Sequence, residues 1–101
     1  MPQTLTPIHP GEVLSEEILK PLDMSVNQLA KALAVDTARL NEIVRGRRGI
    51  TADTALRLAR YLGTTAEFWI NLQKSYELRI ARQAKEKEIE RIIRPRSETA
   101  A

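Results

Sequence analysis

Between Ser25 and Gly46 the chain carries two short amphipathic segments, divided by a break of only three or four residues. In the first, Leu29, Ala30 and Leu33 fall on one side of a helix. In the second, Leu40, Ile43 and Val44 do so at i, i+3, i+4 spacing. Ser25 is placed to cap the first segment, and Gln28, three residues on, completes a capping box. Asp36 or Thr37 caps the second, and Gly46 closes it. So short a connection makes the two helices cross steeply, which demands a small residue where they approach. Ala30 supplies it. The remainder of the chain has to pack around this pair.

That remainder also reads as helix, since no stretch alternates apolar and polar residues as a half-buried strand does. Pro10 suits a first helical turn, and Val13, Leu14, Ile18 and Leu19 form the apolar face that follows. Glu12, Glu16 and Glu17 lie toward the positive end of that helix, and Pro21 stops it. Thr51 caps a fourth helix, with Ala55, Leu58, Ala59 and Leu62 as its buried stripe and Gly63 at its end. Thr64 or Thr65 opens a fifth with Phe68, Trp69, Leu72 and Tyr76 on it. This helix is expected to run on through Leu78, Ile80 and Ala84 to Ile92 or Ile93, before Pro95. Residues 97–101 are expected to fray. The expected fold is all-α, with five helices and a long last one. Two units are expected, a domain over residues 1–76 and a helical extension over 77–101.

Charge sharpens the functional reading. Residues 37–63 hold six arginines against two acids, whereas residues 1–36 hold five acids against two lysines. A basic middle segment suggests a polyanion partner. A helix–turn–helix unit meets DNA by laying its second helix in the major groove, which is about 12 Å wide. With Leu40, Ile43 and Val44 turned inward, Thr37, Ala38, Asn41, Glu42 and Arg45 remain on the outer side, flanked by Arg39. Thr37, Ala38, Arg39, Asn41 and Glu42 are therefore the candidate base contacts. Arg39 suits guanine, Asn41 adenine and Glu42 cytosine, while Ala38 suits a thymine methyl. Glu42 has a second reading, as the partner that orients Arg39 or Arg45. Ser25, Asn27, Arg45, Arg47 and Arg48 are the candidate phosphate contacts. Arg57 and Arg60 read as a solvated helix face.

Other classes fall away. The 101 residues include no cysteine, which removes disulfide scaffolds and all-cysteine zinc sites. The single histidine, His9, stands before a helix-starting proline and reads as a local hydrogen-bonding group with no second metal ligand in view. No Gly-rich phosphate loop and no paired nucleophile and base are visible, so no enzyme and no cofactor is expected. No apolar run approaches the roughly 18 residues of a membrane span, and the first ten residues lack the basic and apolar regions of a signal peptide. A cytoplasmic protein with no membrane contact is the expectation. Phe68 and Trp69 read first as core anchors. With Tyr76, Ile89, Ile92 and Ile93 they are also the candidates for an interface with a second copy or another protein.

Residues 24–63 resemble the five-helix, lambda-repressor-like helix–turn–helix domain of phage Cro-type repressors, the XRE-type fold. Three blocks narrow the resemblance: HPGEVL at 9–14, GITADTALRLARYLGT at 49–64 and EFWINLQ at 67–73. With these, residues 7–79 are similar to HigA-type antitoxins, also called VapI or plasmid-maintenance antidote proteins. The resemblance implies a homodimer that binds operator DNA and represses its own operon. It also implies a HigB-like toxin partner, a small ribosome-associated mRNA endonuclease that the antitoxin neutralises. By the same resemblance the recognition helix falls on residues 37–45, so Thr37, Ala38, Arg39 and Glu42 inherit base contact. Ala34 stands where such repressors usually carry glycine, and alanine holds that turn at a small strain cost if its φ is positive. A solitary regulator without a toxin, and a toxin-masking module that does not use its DNA face, remain open on the residues alone.

Overall fold

The computed structural model describes residues 7–99. The first helix, α1, has two parts, an α-helical turn Pro10–Val13 and a π-helical stretch Leu14–Leu19. The helices α2 (Val26–Leu33), α3 (Thr37–Val44), α4 (Ala52–Leu62) and α5 (Ala66–Ile92) follow, then a single turn, α6 (Arg96–Thr99). Part of the tail expected to fray thus forms a helical turn, and residues 100 and 101 lie outside the described residues. The π-helical stretch has its own logic. An i→i−5 repeat, seen in the bond from Lys20 N–H to Ser15 O, brings residues five apart toward one side. Leu14 and Leu19, five apart, are both buried.

The caps lie where side-chain chemistry puts them. Ser25 Oγ accepts from Gln28 N–H while Gln28 Oε1 accepts from Ser25 N–H, the reciprocal capping box. Thr51 and Thr65 each accept from the backbone N–H three residues on. Asp36 precedes α3 but makes no side-chain cap. At the corner Ala34 adopts φ 58°. Val35 N–H bonds to Ala30 O and Ala34 N–H to Lys31 O, closing α2 in a Schellman turn. Gly46 (φ 77°) does the same for α3, with Arg47 N–H on Glu42 O.

One core joins these helices. Leu14, Leu29, Ala30, Leu40, Ile43, Ile50, Ala55, Leu58 and Trp69 are buried together, each large aliphatic side chain contributing about 1.5–3 kcal/mol. Helix α1 crosses α3 so closely that a Cβ on Gly11 would lie 1.8 Å from Ile43 O. Ile50, in the loop after α3, donates its N–H to Gln73 Oε1 on α5 at 2.8 Å, so a buried side chain secures that loop. From Glu77 to Ser97 every residue is exposed, and the projecting end of α5 draws the molecule out to 59 × 28 × 25 Å.

His9 fastens α1. Its Nδ1 accepts from Gly11 N–H at 2.8 Å, and its ring meets Tyr76 of α5 edge-on at 4.8 Å. Burial lowers its pKa, against a smaller upward pull from a hydrogen bond to the Arg48 backbone. The cap needs a neutral acceptor, so the folded state resists protonation while the unfolded chain takes a proton near its ordinary value. Stability is therefore fully present above about pH 6.5 and is lost as pH falls below it. The urea midpoint of the wild type should drop between pH 7.5 and 5.5, and His9→Asn, which keeps a capping acceptor, should show a smaller drop. Equal drops in both proteins would remove His9 as the cause.

Candidate nucleic-acid interface

The second helix of the steep pair, α3, is short and buries one side only, through Leu40 and Ile43. Helical periodicity then puts Ala38, Asn41, Glu42 and Arg45 on the opposite side, with Thr37 and Arg39 at its two edges. Ala38, Glu42 and Arg45 are exposed, and Asn41 is half-buried. A helix with bare small and polar residues outward fits a groove lined with donors and acceptors.

Each edge is tied to a neighbour. Thr37 Oγ1 donates to Asn27 Oδ1 at 2.8 Å, so the starts of α2 and α3 meet through the two residues expected to touch base and phosphate. At the other edge the Arg39 guanidinium is committed to α4. It reaches Asp53 Oδ2 at 3.1 Å and donates to Thr54 Oγ1. Arg39 therefore lies across the α3–α4 junction and does not stand free for a guanine. Glu42 pairs with Arg48 at 3.1 Å, and with neither Arg39 nor Arg45. Arg48, expected on a phosphate, is thus partly neutralised by the helix it follows. Arg45 and Arg47 are exposed and have no ion pair among the described residues. Ser25, already a cap acceptor, keeps its hydroxyl proton for an outside acceptor.

Arg57 departs from its sequence reading, while Trp69 keeps its first reading and loses its second. Arg57 is no solvated arginine. Its Nε donates to Asp53 Oδ2 at 2.9 Å, and its Nη1 to Leu33 O at 2.9 Å and Ala34 O at 3.1 Å. It thereby satisfies the last carbonyls of α2 at the corner. Trp69 is 1% exposed and its Nε1 donates to Thr64 Oγ1, so it is a core anchor with no surface to offer a partner. Phe68 beside it is 44% exposed and touches Trp69 edge-on. Tyr76 is half-buried against His9. Ile89, Ile92 and Ile93 are exposed at the far end of α5. Sequence reasoning missed Asp53 and Arg57. Asp53 is the only acid between Glu42 and Glu67, a signal that two nearby arginines would converge on it.

The same two arginines hold the Asp53 carboxyl below the usual carboxylate range, Arg57 more strongly than Arg39. Among the described residues no cluster of His, Asp or Glu is arranged to hold a metal, and no helix is long and apolar enough to cross a membrane.

Comparison with known proteins agrees with this geometry. A helix-turn-helix family model matches residues 16–69. Virulence-associated protein I of Dichelobacter nodosus is 60% identical over 79 residues, which span 78% of this chain and 73% of that one. An addiction module antidote protein of a HigA family from Coxiella burnetii superposes with a TM-score of 0.85 at 53% identity, over 89% of this chain and 98% of that one. The Pseudomonas aeruginosa antitoxin HigA, solved with the higBA promoter, superposes with a TM-score of 0.87 at 51% identity over the same shares.

Proposed function

The chain belongs to the helix-turn-helix family and within it to the HigA-type antitoxins, and from that premise we propose that it is an autorepressing antitoxin. It binds the operator of its own operon as a homodimer and neutralises a HigB-like toxin encoded beside it. Its work is binding and not catalysis, and binding its own promoter sets it in the cytoplasm. The observation that carries this reading is the outer face of α3, where Ala38, Glu42 and Arg45 are exposed and Asn41 half-exposed, with Arg47 beside them free of any ion pair among the described residues. That face enters the major groove. Thr37, Ala38, Asn41 and Glu42 meet base edges, while Ser25, Asn27, Arg45, Arg47 and Arg48 hold phosphates on either side. Two copies read half-sites about 34 Å apart, or a multiple of that. Phe68, Tyr76, Ile89, Ile92 and Ile93, all accessible, supply contact surface for the second copy or the toxin.

The test is to co-purify the tagged chain with the product of the adjacent gene and titrate it onto its own promoter at several salt concentrations. A stable partner and a promoter complex whose log affinity falls linearly with log salt are the expected results. Arg45→Ala and Arg47→Ala should each weaken binding to promoter and unrelated DNA alike and reduce the salt slope by about 0.9. Promoter binding without a partner would make the chain a solitary repressor. A partner without promoter binding would reduce it to toxin masking and leave α3 an ordinary surface.

A further inference from the structure

We propose that Asp53 is the positioning residue of the DNA-reading helix, acting through Arg39 and Arg57 as a single clamp across three helices. This inference rests on the operator reading above. Asp53 sits in the first turn of α4. One of its oxygens, Oδ2, accepts from Arg39 of α3 at 3.1 Å and from Arg57 of α4 at 2.9 Å. Arg39 continues to Thr54 Oγ1, a buried hydroxyl. Arg57 continues to the carbonyls of Leu33 and Ala34, where the chain turns from α2 into α3. A single carboxylate thus connects the corner of the helix–turn–helix unit, its second helix and the helix behind it.

The charges make the role specific. Arg39 and Arg57 both approach the same oxygen, and without that carboxylate two like charges would face each other across the junction. Arg39 lies at the edge of the exposed face of α3, so once released it becomes a mobile cation beside the DNA. A mobile cation grips phosphate without regard to sequence. Asp53 consequently holds Arg39 out of non-specific contact and fixes the rotation of α3 about its own axis. An acid that merely sat near DNA would repel all sequences alike. An acid that positions the reading helix acts on the difference between sequences.

The experiment compares promoter and unrelated duplex DNA for the wild type, Asp53→Asn, Arg39→Met and the double variant, with the melting temperature of each. Asp53→Asn keeps the side-chain shape and removes the charge. The expected result is a fall of about 10-fold in the ratio of promoter to unrelated affinity, with unrelated affinity itself rising. The salt slope should steepen by up to about 0.9 as Arg39 joins the phosphate contacts. In the Arg39→Met background the same substitution should change the ratio less, because only Arg57 is left for the carboxylate to hold. Melting temperatures should stay within a few degrees, since the paired groups are partly exposed. Asp53→Glu should restore part of the ratio. An unchanged ratio in Asp53→Asn, or a loss that adds in full to that of Arg39→Met, overturns the clamp and leaves the operator reading intact. A wild-type chain that does not prefer its promoter overturns both.

Discussion

Gly11→Ala is expected to destabilise the fold by about 3 kcal/mol or more, the upper range for forcing atoms into a packed contact. The added methyl would lie 1.8 Å from Ile43 O and 2.8 Å from Ile43 C, both backbone atoms of α3. A side-chain tip can swing away from such a clash, whereas a helix backbone has to move as a whole. Helix α1 would have to lift from α3, and His9, which caps α1 and touches α5, would be drawn along. For a domain of this size the loss corresponds to a melting temperature lower by roughly 12 °C or more. Promoter affinity should fall with it, because Ile43 sits on the inward side of α3. Gly63→Ala is the control: it too adds a methyl, here at positive φ (76°), but nothing lies within 4 Å, so backbone strain of about 1 kcal/mol is all it meets. Thermal unfolding of the two variants decides the matter, and equal losses would show that the α1–α3 contact yields.

Trp69→Ala should cost about 3–5 kcal/mol, the range for emptying a buried aromatic site. The indole is 1% exposed among the core residues of several helices. Its hydrogen bond to Thr64 also ties α5 to the turn before it. Phe68→Ala should cost far less, under about 1 kcal/mol, because that ring is 44% exposed. The pair separates two roles that adjacent aromatics invite one to merge. If chemical denaturation gave similar losses for both, Phe68 would be as much a part of the core as Trp69.

The contrast between these neighbours shows how much was legible in the chain. Caps were readable because their chemistry is local: Ser25 with Gln28, Thr51 with Thr54, and Thr65 with Phe68 each lie three residues apart. The corner was readable through the family resemblance, since Ala34 takes the positive φ expected where such repressors carry glycine. The inward stripes of α2, α3 and α4 followed from periodicity alone. Phe68 and Trp69 escaped that logic, because two adjacent aromatics differ by about 100° on a helix and either could be the inner one. The partners of Arg39 and Arg57 escaped it for another reason. Apart from Asp53, one helical turn before Arg57, they lie 14 to 24 residues away, and which acid or carbonyl receives an arginine depends on how whole helices cross. An arginine partner was the second reading of Glu42, with Arg39 or Arg45 as the candidates, and the loop geometry after Gly46 brings Arg48 to it instead. The candidate site was thus legible as a surface, while the side chains that hold it in place were not.

The unbroken run of α5 from Ala66 to Ile92 has a mechanical consequence. Near its start Trp69 is embedded in the core and Gln73 grips the backbone of Ile50, in the segment that follows α3. From Glu77 onward it is exposed. No glycine, proline or loop interrupts its 27 residues, so the helix is a beam clamped at one end with no joint along its length. A twist applied at Ile92 is therefore carried along one continuous helix toward the loop that follows α3.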